Sequence, residues 1–592
     1  MNTFSGRVTR FFRIVRNQGI NAALRRTKKF IVRVISGRAS KPYNRISGIF
    51  GRPGSSMIID GAKISILMPV YNTPPNILDE AIQSVLNQTY PDWELCICDD
   101  ASSLQRTVNV LQKYKGSDPR IKITRAPRNL HISNATNLAA QFATGDFVAF
   151  LDHDDTLEPD ALEVIARTLK ANPEADVLYT DEDKIEPDGC LSEPYLKPDW
   201  SPEHLLSVMY ILHFFVVRKS LFLDLGGLRN EFTGAQDYDL ALRATDKARQ
   251  VVHIPKVLYH WRKLRGSSAG DADAKPAALS NAHRAVEDFV ISKTSGATVS
   301  DGLFPGSFRA QYPVDESRPV TLLILTDSGR REVAGRGNIP LLEHTVTSIV
   351  ERSTFRNYRI IVVDNGKMSE AVRERYAQAG IEVNFYHLEG AFNYAKKVNY
   401  ALKLVETEDV IILNDDLEVI APDWIEALLS FSRRPDIGAV GGMLLYPNNR
   451  IQHAGVVLGV NGLSAHLFHN LPSDEAAYCG FNNVIRNYSA VTGAVLATRM
   501  SVIREIDGFN EALAIDYNDI DFCLRLREAG YRIVYTPFAK LYHFEGSTLV
   551  RQVANQRDKN NFVVRWGSAV ERDPYYNPGL PKNRTDCDVT QW

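Results

Sequence analysis

The 592-residue chain carries the same ordered set of landmarks twice. An apolar run, Ile64 to Val70, is followed by Asp99-Asp100, by Leu151-Asp152-His153-Asp154-Asp155, by Gln236-Asp237-Tyr238-Asp239 and by Tyr259-His260. A second set starts at Val320 and continues through Asp364-Asn365, Leu413-Asn414-Asp415-Asp416, Asn518-Asp519-Ile520-Asp521 and Tyr542-His543. The offsets between paired landmarks run from 262 to 283 residues. Solenoid repeats have periods of roughly 20–50 residues, so the copied unit here is a whole domain. In both copies the carboxylates come just after apolar strands, which makes the repeat a chemical layout as well as a structural one.

Each copy alternates strand and helix. Ile64–Val70 is a continuous apolar run of the kind buried on both faces of a parallel sheet. Pro74-Pro75 opens a helix with Ile77, Leu78, Ala81, Ile82, Val85 and Leu86 on one stripe. A strand at 94–98 ends at Asp99-Asp100, helices are expected near 105–114 and 132–142, a strand near 121–124, and the strand 147–151 runs into the acidic cluster. The second copy repeats this plan with strands at 321–326, 358–363 and 410–413 and a helix near 341–351. Such alternation predicts an α/β fold with a mostly parallel, Rossmann-like sheet and ligands at the carboxyl ends of the strands. The expected division is a basic amphipathic segment at 1–60, domains at 61–296 and 320–592, and an aperiodic Gly/Pro-containing linker at 297–319.

Composition narrows the setting. Hydrophobic content of 44% and charged content of 23% are those of an ordinary globular protein. The longest apolar run, Tyr210 to Val217, suits a buried strand and falls short of the roughly 18 residues a spanning helix needs. The six cysteines show no CxxC or zinc spacing, which fits a reducing cytoplasm; Cys96 and Cys98 should share one strand face as small hydrophobes. Of the 69 Lys and Arg, twelve lie in residues 1–50, which contain no Asp or Glu, leaving 57 basic against 70 acidic residues in the remainder. Apolar residues interleave with those cations, a pattern that suits an anionic membrane surface better than nucleic acid or a merely solvated leader.

Asp152, Asp154 and Asp155 fall within four residues at a strand end, where they repel one another unless a ligand uses them. A divalent Mg²⁺ or Mn²⁺ with phosphate oxygens resolves that conflict, and the recurrence at Asn414-Asp415-Asp416 argues against a simple solvated turn. Asp99-Asp100 and Asp364-Asn365 can accept from a base ring N–H or can form Asx turns. In Asp237-x-Asp239 and Asp519-x-Asp521 one carboxylate can cap the following helix, while a second, positioned one is what a general base looks like.

With these residues in hand, the chain resembles tandem family-2 glycosyltransferases of the GT-A fold, of the kind found in bacterial O-antigen and capsule assembly. The similar elements in the first half are P-V-Y-N (69–72), D-D-A-S (99–102), H-I-S-N-A-T-N (131–137), L-D-H-D-D (151–155), Y-T-D-E-D-K (179–184), Q-D-Y-D-L-A-L-R (236–243) and L-Y-H-W-R (258–262). The second half is similar to the rhamnosyl- and galactofuranosyl-transferase branch through F-N-Y-A-K-K-V-N (392–399), L-N-D-D (413–416), I-Q-H-A-G (451–455), V-T-G-A (491–494) and N-D-I-D-F-C-L-R (518–525). The resemblance implies inverting transfer of a sugar from UDP- or dTDP-linked donors. Pro69, Tyr71, Asp99, Asp100, Asn137 and Asp152 would line the first nucleotide-sugar pocket, with Asp152 on the ribose. Asp364, Asn399, Asn414 and Asp415 would line the second. Asp154 with His260, and Asp416 with His543, would hold the metal, and Asp237 and Asp519 would take the acceptor proton.

The resemblance further implies a lipid-linked oligosaccharide acceptor, no nucleic acid, and a cytoplasmic enzyme peripheral to the inner face of the bacterial plasma membrane through residues 1–50. The alternative reading keeps one catalytic domain and makes the other a glycan- or nucleotide-binding scaffold. Gln236 and Asn518 stand where many relatives have Glu, which leaves Asp237 and Asp519 as the base candidates. Asn414 weakens the ribose contact of the second copy. The Q-x-x-R-W element of processive synthases is missing at Arg565-Trp566. A Gly-rich phosphate loop is also missing at Tyr71-Asn-Thr-Pro-Pro, which argues against nucleotidyltransferases and NAD-type dehydrogenases.

Overall fold

A computed structural model describes residues 61–264, 276–333, 335–387, 391–544 and 556–589. The basic segment at 1–60, and with it the expected membrane contact, lies outside the described residues.

The first half contributes nine strands: β1 (Ile64–Val70), β2 (Trp93–Asp99), β3 (Ile121–Arg125), β4 (Phe147–Phe150), β5 (Thr156–Leu157), β6 (Ala175–Ile185), β7 (Leu191–Tyr195), β8 (Phe215–Arg218) and β9 (Gln250–Arg262). They order as β3-β2-β1-β4-β8-β6-β9-β5, with β7 attached to β6. Pairing is parallel from β3 to β4, turns antiparallel at β8, and is parallel again between β6 and β9. The expected α/β class holds, and every residue of β1 and β2 is buried because helices cover both faces. Cys96 and Cys98 lie together in one apolar cluster, as small hydrophobes on a shared face.

Two further strands, β10 (Thr298–Asp301) and β11 (Phe308–Gln311), form an antiparallel hairpin inside the stretch expected to be an aperiodic linker. Phe308, Ala310 and Tyr312 alternate inward and are buried, and the Tyr312 N–H donates to Ser430 Oγ at 2.8 Å. This three-residue alternation was too short to stand out among the surrounding glycines and prolines.

In the second half, β12 (Val320–Thr326) is followed by a hairpin, β13 (Arg330–Val333) and β14 (Gly337–Pro340), and then by β15 (Tyr358–Asp364), β16 (Glu382–Phe385), β17 (Asp409–Asn414), β18 (Leu417–Val419) and β19 (Ile437–Leu445). After these come β20 (Ile451–His453), β21 (Val456–Leu458), β22 (Ser464–His466), β23 (Arg486–Asn487), β24 (Val495–Arg499) and β25 (Arg532–His543). The order β16-β15-β12-β17-β24-β19-β25-β18 reproduces the first sheet strand for strand. The sense of each pairing is also the same.

The two halves meet through buried polar contacts. Glu203 accepts from Arg532 (2.7 Å) and Asn487 Nδ2 (2.7 Å), while Ser201 Oγ donates to Asn487 Oδ1 (2.8 Å). Asp181 on β6 accepts from Asn577 Nδ2 (2.8 Å) and pairs with His253 (2.9 Å). Among the described residues no helix is long and apolar enough to cross a membrane.

Candidate active site

The short strands β5 and β18 shape each cleft. The acidic motif ends β4 or β17, and the chain then pairs at once with the end of the long last strand, Thr156 opposite His260 and Leu417 opposite His543. Residues about a hundred positions apart in sequence are thereby pinned beside the acidic cluster at the strand ends.

In the second half His543 Nε2 lies 3.0 Å from Asp416 Oδ1 and 3.2 Å from Asn414 Nδ2, and its Nδ1 is 2.7 Å from Gln452 Oε1. An amide oxygen accepting from Nδ1–H sets the tautomer with the Nε2 lone pair facing Asn414 and Asp416. Burial disfavours ionised Asp416, yet His543 and the more distant Arg331 hold its pKa below the usual value. Asp415 accepts from Thr326 Oγ1 at 2.5 Å; burial and the Asp416 charge push it up to about 7.

In the first half His260 Nδ1 lies 2.6 Å from Asp183, and its Nε2 is 3.4 Å from Glu158. Burial opposes the imidazolium, but these carboxylates raise its pKa to about 9. Enclosure in the cleft, then the Asp154 charge and more weakly that of Asp237, raise the pKa of Asp152, although 44% of its side chain meets solvent; His213 pulls in the opposite direction. Asp155 accepts from Tyr259 Oη (2.6 Å) and the Arg262 N–H (2.7 Å), so it braces the loop while Asp154 remains for a ligand.

The D-x-D pairs divide their labour in the same way twice. Asp237 accepts the N–H of Tyr238 (2.9 Å), and burial raises its pKa. Asp239 is buried between Arg229 and Arg243, the latter at 2.6 Å. Likewise Asp519 accepts the N–H groups of Gly493 and Ile520, both at 2.9 Å, whereas Asp521 is held by Arg525 (2.7 Å) and Trp566 Nε1 (2.8 Å).

The remaining expected positions separate into open and structural ones. Asp99 pairs with Arg125 at 3.0 Å and accepts the Ser102 N–H at 2.9 Å, an Asx-like turn; Asp100 accepts the Leu130 N–H at 2.6 Å. Phe385 occupies the register position opposite Asp364 that Arg125 occupies opposite Asp99. Lys397, 2% exposed, supplies a cation there instead; burial lowers its pKa to about 8 against the pull of Asp415 and Asp364. Asp364 itself accepts from Ser328 Oγ (2.7 Å) and the Met368 N–H (3.0 Å), and Asn365 Oδ1 is buried with no hydrogen-bond partner among the described residues. Pro69 is buried within β1, while Tyr71 just beyond it is 46% exposed.

Asn137 and Asn399, expected in the nucleotide-sugar pockets, spend their amides on neighbouring main chain. Asn137 donates to the Leu228 carbonyl (2.8 Å) and accepts its N–H (2.9 Å), and Asn399 does the same with Phe509, both at 2.8 Å. Gly227 and Gly508, with φ of +74° and +67°, precede those residues, and a Cβ on either would stand 2.5 or 2.7 Å from the Asn Oδ1.

The signature of "Glycosyl transferase family 2" fits residues 65–222 and 336–489, one match in each half. The chain belongs to glycosyltransferase family 2.

This glycosyltransferase is 37% identical over 590 residues to the protein y4gI of Sinorhizobium fredii, covering 96% of this chain and 64% of that one. It is 33% identical over 533 residues to the O-antigen biosynthesis protein RfbC of Myxococcus xanthus (89% and 41%), and 35% identical over 447 residues to the hyaluronan synthase of Pasteurella multocida (72% and 41%). The transferase thus spans between 41% and 64% of the length of these relatives.

Three cleft residues of the transferase were not anticipated. Gln452 and Gly493 lie in the I-Q-H-A-G and V-T-G-A motifs without any marker of their task. His213 stands in an apolar run that reads as strand, and its only signal is one imidazole among aromatic and aliphatic neighbours. Its Nε2 is 4.0 Å from Asp152, its Nδ1 is 3.4 Å from Glu182, and its ring stacks on Tyr259 at 4.5 Å. Burial opposes its charge, but Glu182, with Asp152 and Asp155, raises its pKa to about 9.

Proposed function

We propose that each half is an inverting sugar-transfer site and that the chain adds two sugars in turn to a lipid-linked bacterial surface polysaccharide. The observation that carries this reading is the duplication of Asp154, Asp237 and His260 as Asp416, Asp519 and His543 at equivalent ends of two identically ordered sheets. The unpaired Asn365 Oδ1 supports a ligand in the second cleft. Similarity to an O-antigen biosynthesis protein and to a hyaluronan synthase supports a polysaccharide product.

Asp237 or Asp519, with its neighbour carboxylate tied to arginine, accepts the proton of an acceptor hydroxyl as that oxygen attacks the anomeric carbon. The bond to the nucleoside diphosphate breaks on the opposite face, and the bonding pair leaves with the diphosphate. Orientation supplies much of the acceleration. Among the described residues no group of three or more His, Cys, Asp or Glu is placed to hold a metal ion. The Asp416–His543 pair, with its Gln452 support, nevertheless fits Mg²⁺ or Mn²⁺ whose other positions are filled by phosphate oxygens and water. In the first half Asp154 would hold the ion, and His260 would join it only on giving up the proton that Glu158 and Asp183 favour. When bound, such an ion neutralises charge on the diphosphate.

Calorimetry with UDP, dTDP and GDP, with and without Mn²⁺, on the wild type and on Asp154→Ala and Asp416→Ala tests this reading. The expected result is two metal-dependent sites, each removed by its own substitution. A single site would leave the other half as a scaffold, and binding of no nucleotide would defeat the proposal.

A further inference from the structure

One charged pair of the first cleft is neutral in the second. Strand β8 runs antiparallel to β4 with Ala149 opposite Val216, a register that carries His213 opposite Asp152. In the second half Leu413 lies opposite Val495, and the next step puts Ala494 opposite Asn414, whose N–H donates to the Ala494 carbonyl over 3.0 Å. The carboxylate and the cation are therefore present together in one copy and absent together in the other. That is the pattern expected when each charge in an enclosed cleft needs the other.

His213 is firmly built in. Its ring lies nearly parallel to that of Tyr259 (10°) in a stack and 5.3 Å from Trp261. Its main-chain N–H donates to Glu182 Oε2 over 2.9 Å, and Lys197 Nζ donates to its carbonyl. The charged groups around the ring are Glu182 from β6, which also pairs with buried Lys197 at 3.0 Å, and Asp152 and Asp155 from the loop after β4; Asp237 is within electrostatic range. Nδ1 faces Glu182. Nε2 stands 4.0 Å from Asp152, beyond hydrogen-bond distance, with 18% of the side chain exposed to the cleft. A donor's sugar is neutral and its diphosphate anionic, so a fixed cation with a free N–H recognises the diphosphate.

We propose that His213 is a positioning residue of the first site, gripping the donor diphosphate through its Nε2–H, with no counterpart in the second site. This rests on the reading of the first half as a donor site. The test uses the full chain carrying Asp416→Ala, so that binding reports the first cleft, and compares His213 with His213→Phe, which keeps the stack on Tyr259, and His213→Lys, which keeps a cation. Calorimetry in Mn²⁺ with UDP, dTDP and GDP, and with the matching monophosphates, is the readout. His213→Phe should weaken the diphosphate by about tenfold or more and the monophosphate by less than about threefold, and His213→Lys should recover most of the loss. In an Asp154→Ala background, His213→Phe should leave second-site binding unchanged. Unaltered diphosphate affinity in His213→Phe would overturn the inference, as would an equal loss for mono- and diphosphate or a loss in the second site. If the Asp416→Ala protein with His213 intact bound no nucleotide, the donor-site reading itself would fall.

Discussion

At the scale of single residues, the two aspartates of each D-x-D pair lead to opposite phenotypes. Asp237→Asn and Asp519→Asn should lower transfer by about 10²–10⁴-fold at their own sites and leave the melting temperature near that of the wild type, as activity assays paired with thermal melts would report. Asp239→Ala should instead cost about 3 kcal/mol of stability in denaturant titration, because two arginines lose their buried partner. The pH profile belongs here too. In the proposed role Asp237 must be ionised, and its pKa is raised by burial, so first-site turnover should fall as pH drops through a value above the ordinary aspartate pKa of about 3.9. Sequence spacing placed both carboxylates at a helix start. It could not tell the base from the clamp, because Arg229 and Trp566 are recruited from elsewhere in the chain.

At the scale of elements, the sequence was informative where periodicity was long and silent where pairing was short. The apolar runs of β1, β2, β4, β12 and β15 and the striped helix Pro75–Leu86 were legible directly. The two- and three-residue strands β5 and β18 were not, although they bring each histidine alongside the loop that follows the acidic motif, because their partners lie about a hundred residues away. Asn137 and Asn399 show the same limit, since an amide in a motif reads equally well as ligand contact or brace. As braces, each ties a helix to the segment behind a left-handed glycine. Asn137→Ala and Asn399→Ala should therefore each remove about 2 kcal/mol from unfolding stability, while the nucleotide affinity of the folded protein stays within about threefold. A loss confined to affinity would contradict the brace.

At the scale of the whole molecule, the duplication suggested two domains on a linker, but the hairpin and the polar seam join them. Glu203 is buried and answers both Arg532 and Asn487 from the other half, so Glu203→Ala removes the carboxylate they share across the seam and leaves Arg532 to Asp436 of its own half. Calorimetry should then resolve two unfolding transitions in place of one cooperative transition. Along β6, three successive residues serve three places: Asp181 meets Asn577 and His253, Glu182 meets His213, and Asp183 meets His260. Asn577, which holds Asp181, lies near the C-terminal end of the second half, so the wall of the first cleft is completed by a residue almost four hundred positions downstream. A chain break placed between the copies would therefore part the first cleft from a piece of its own foundation.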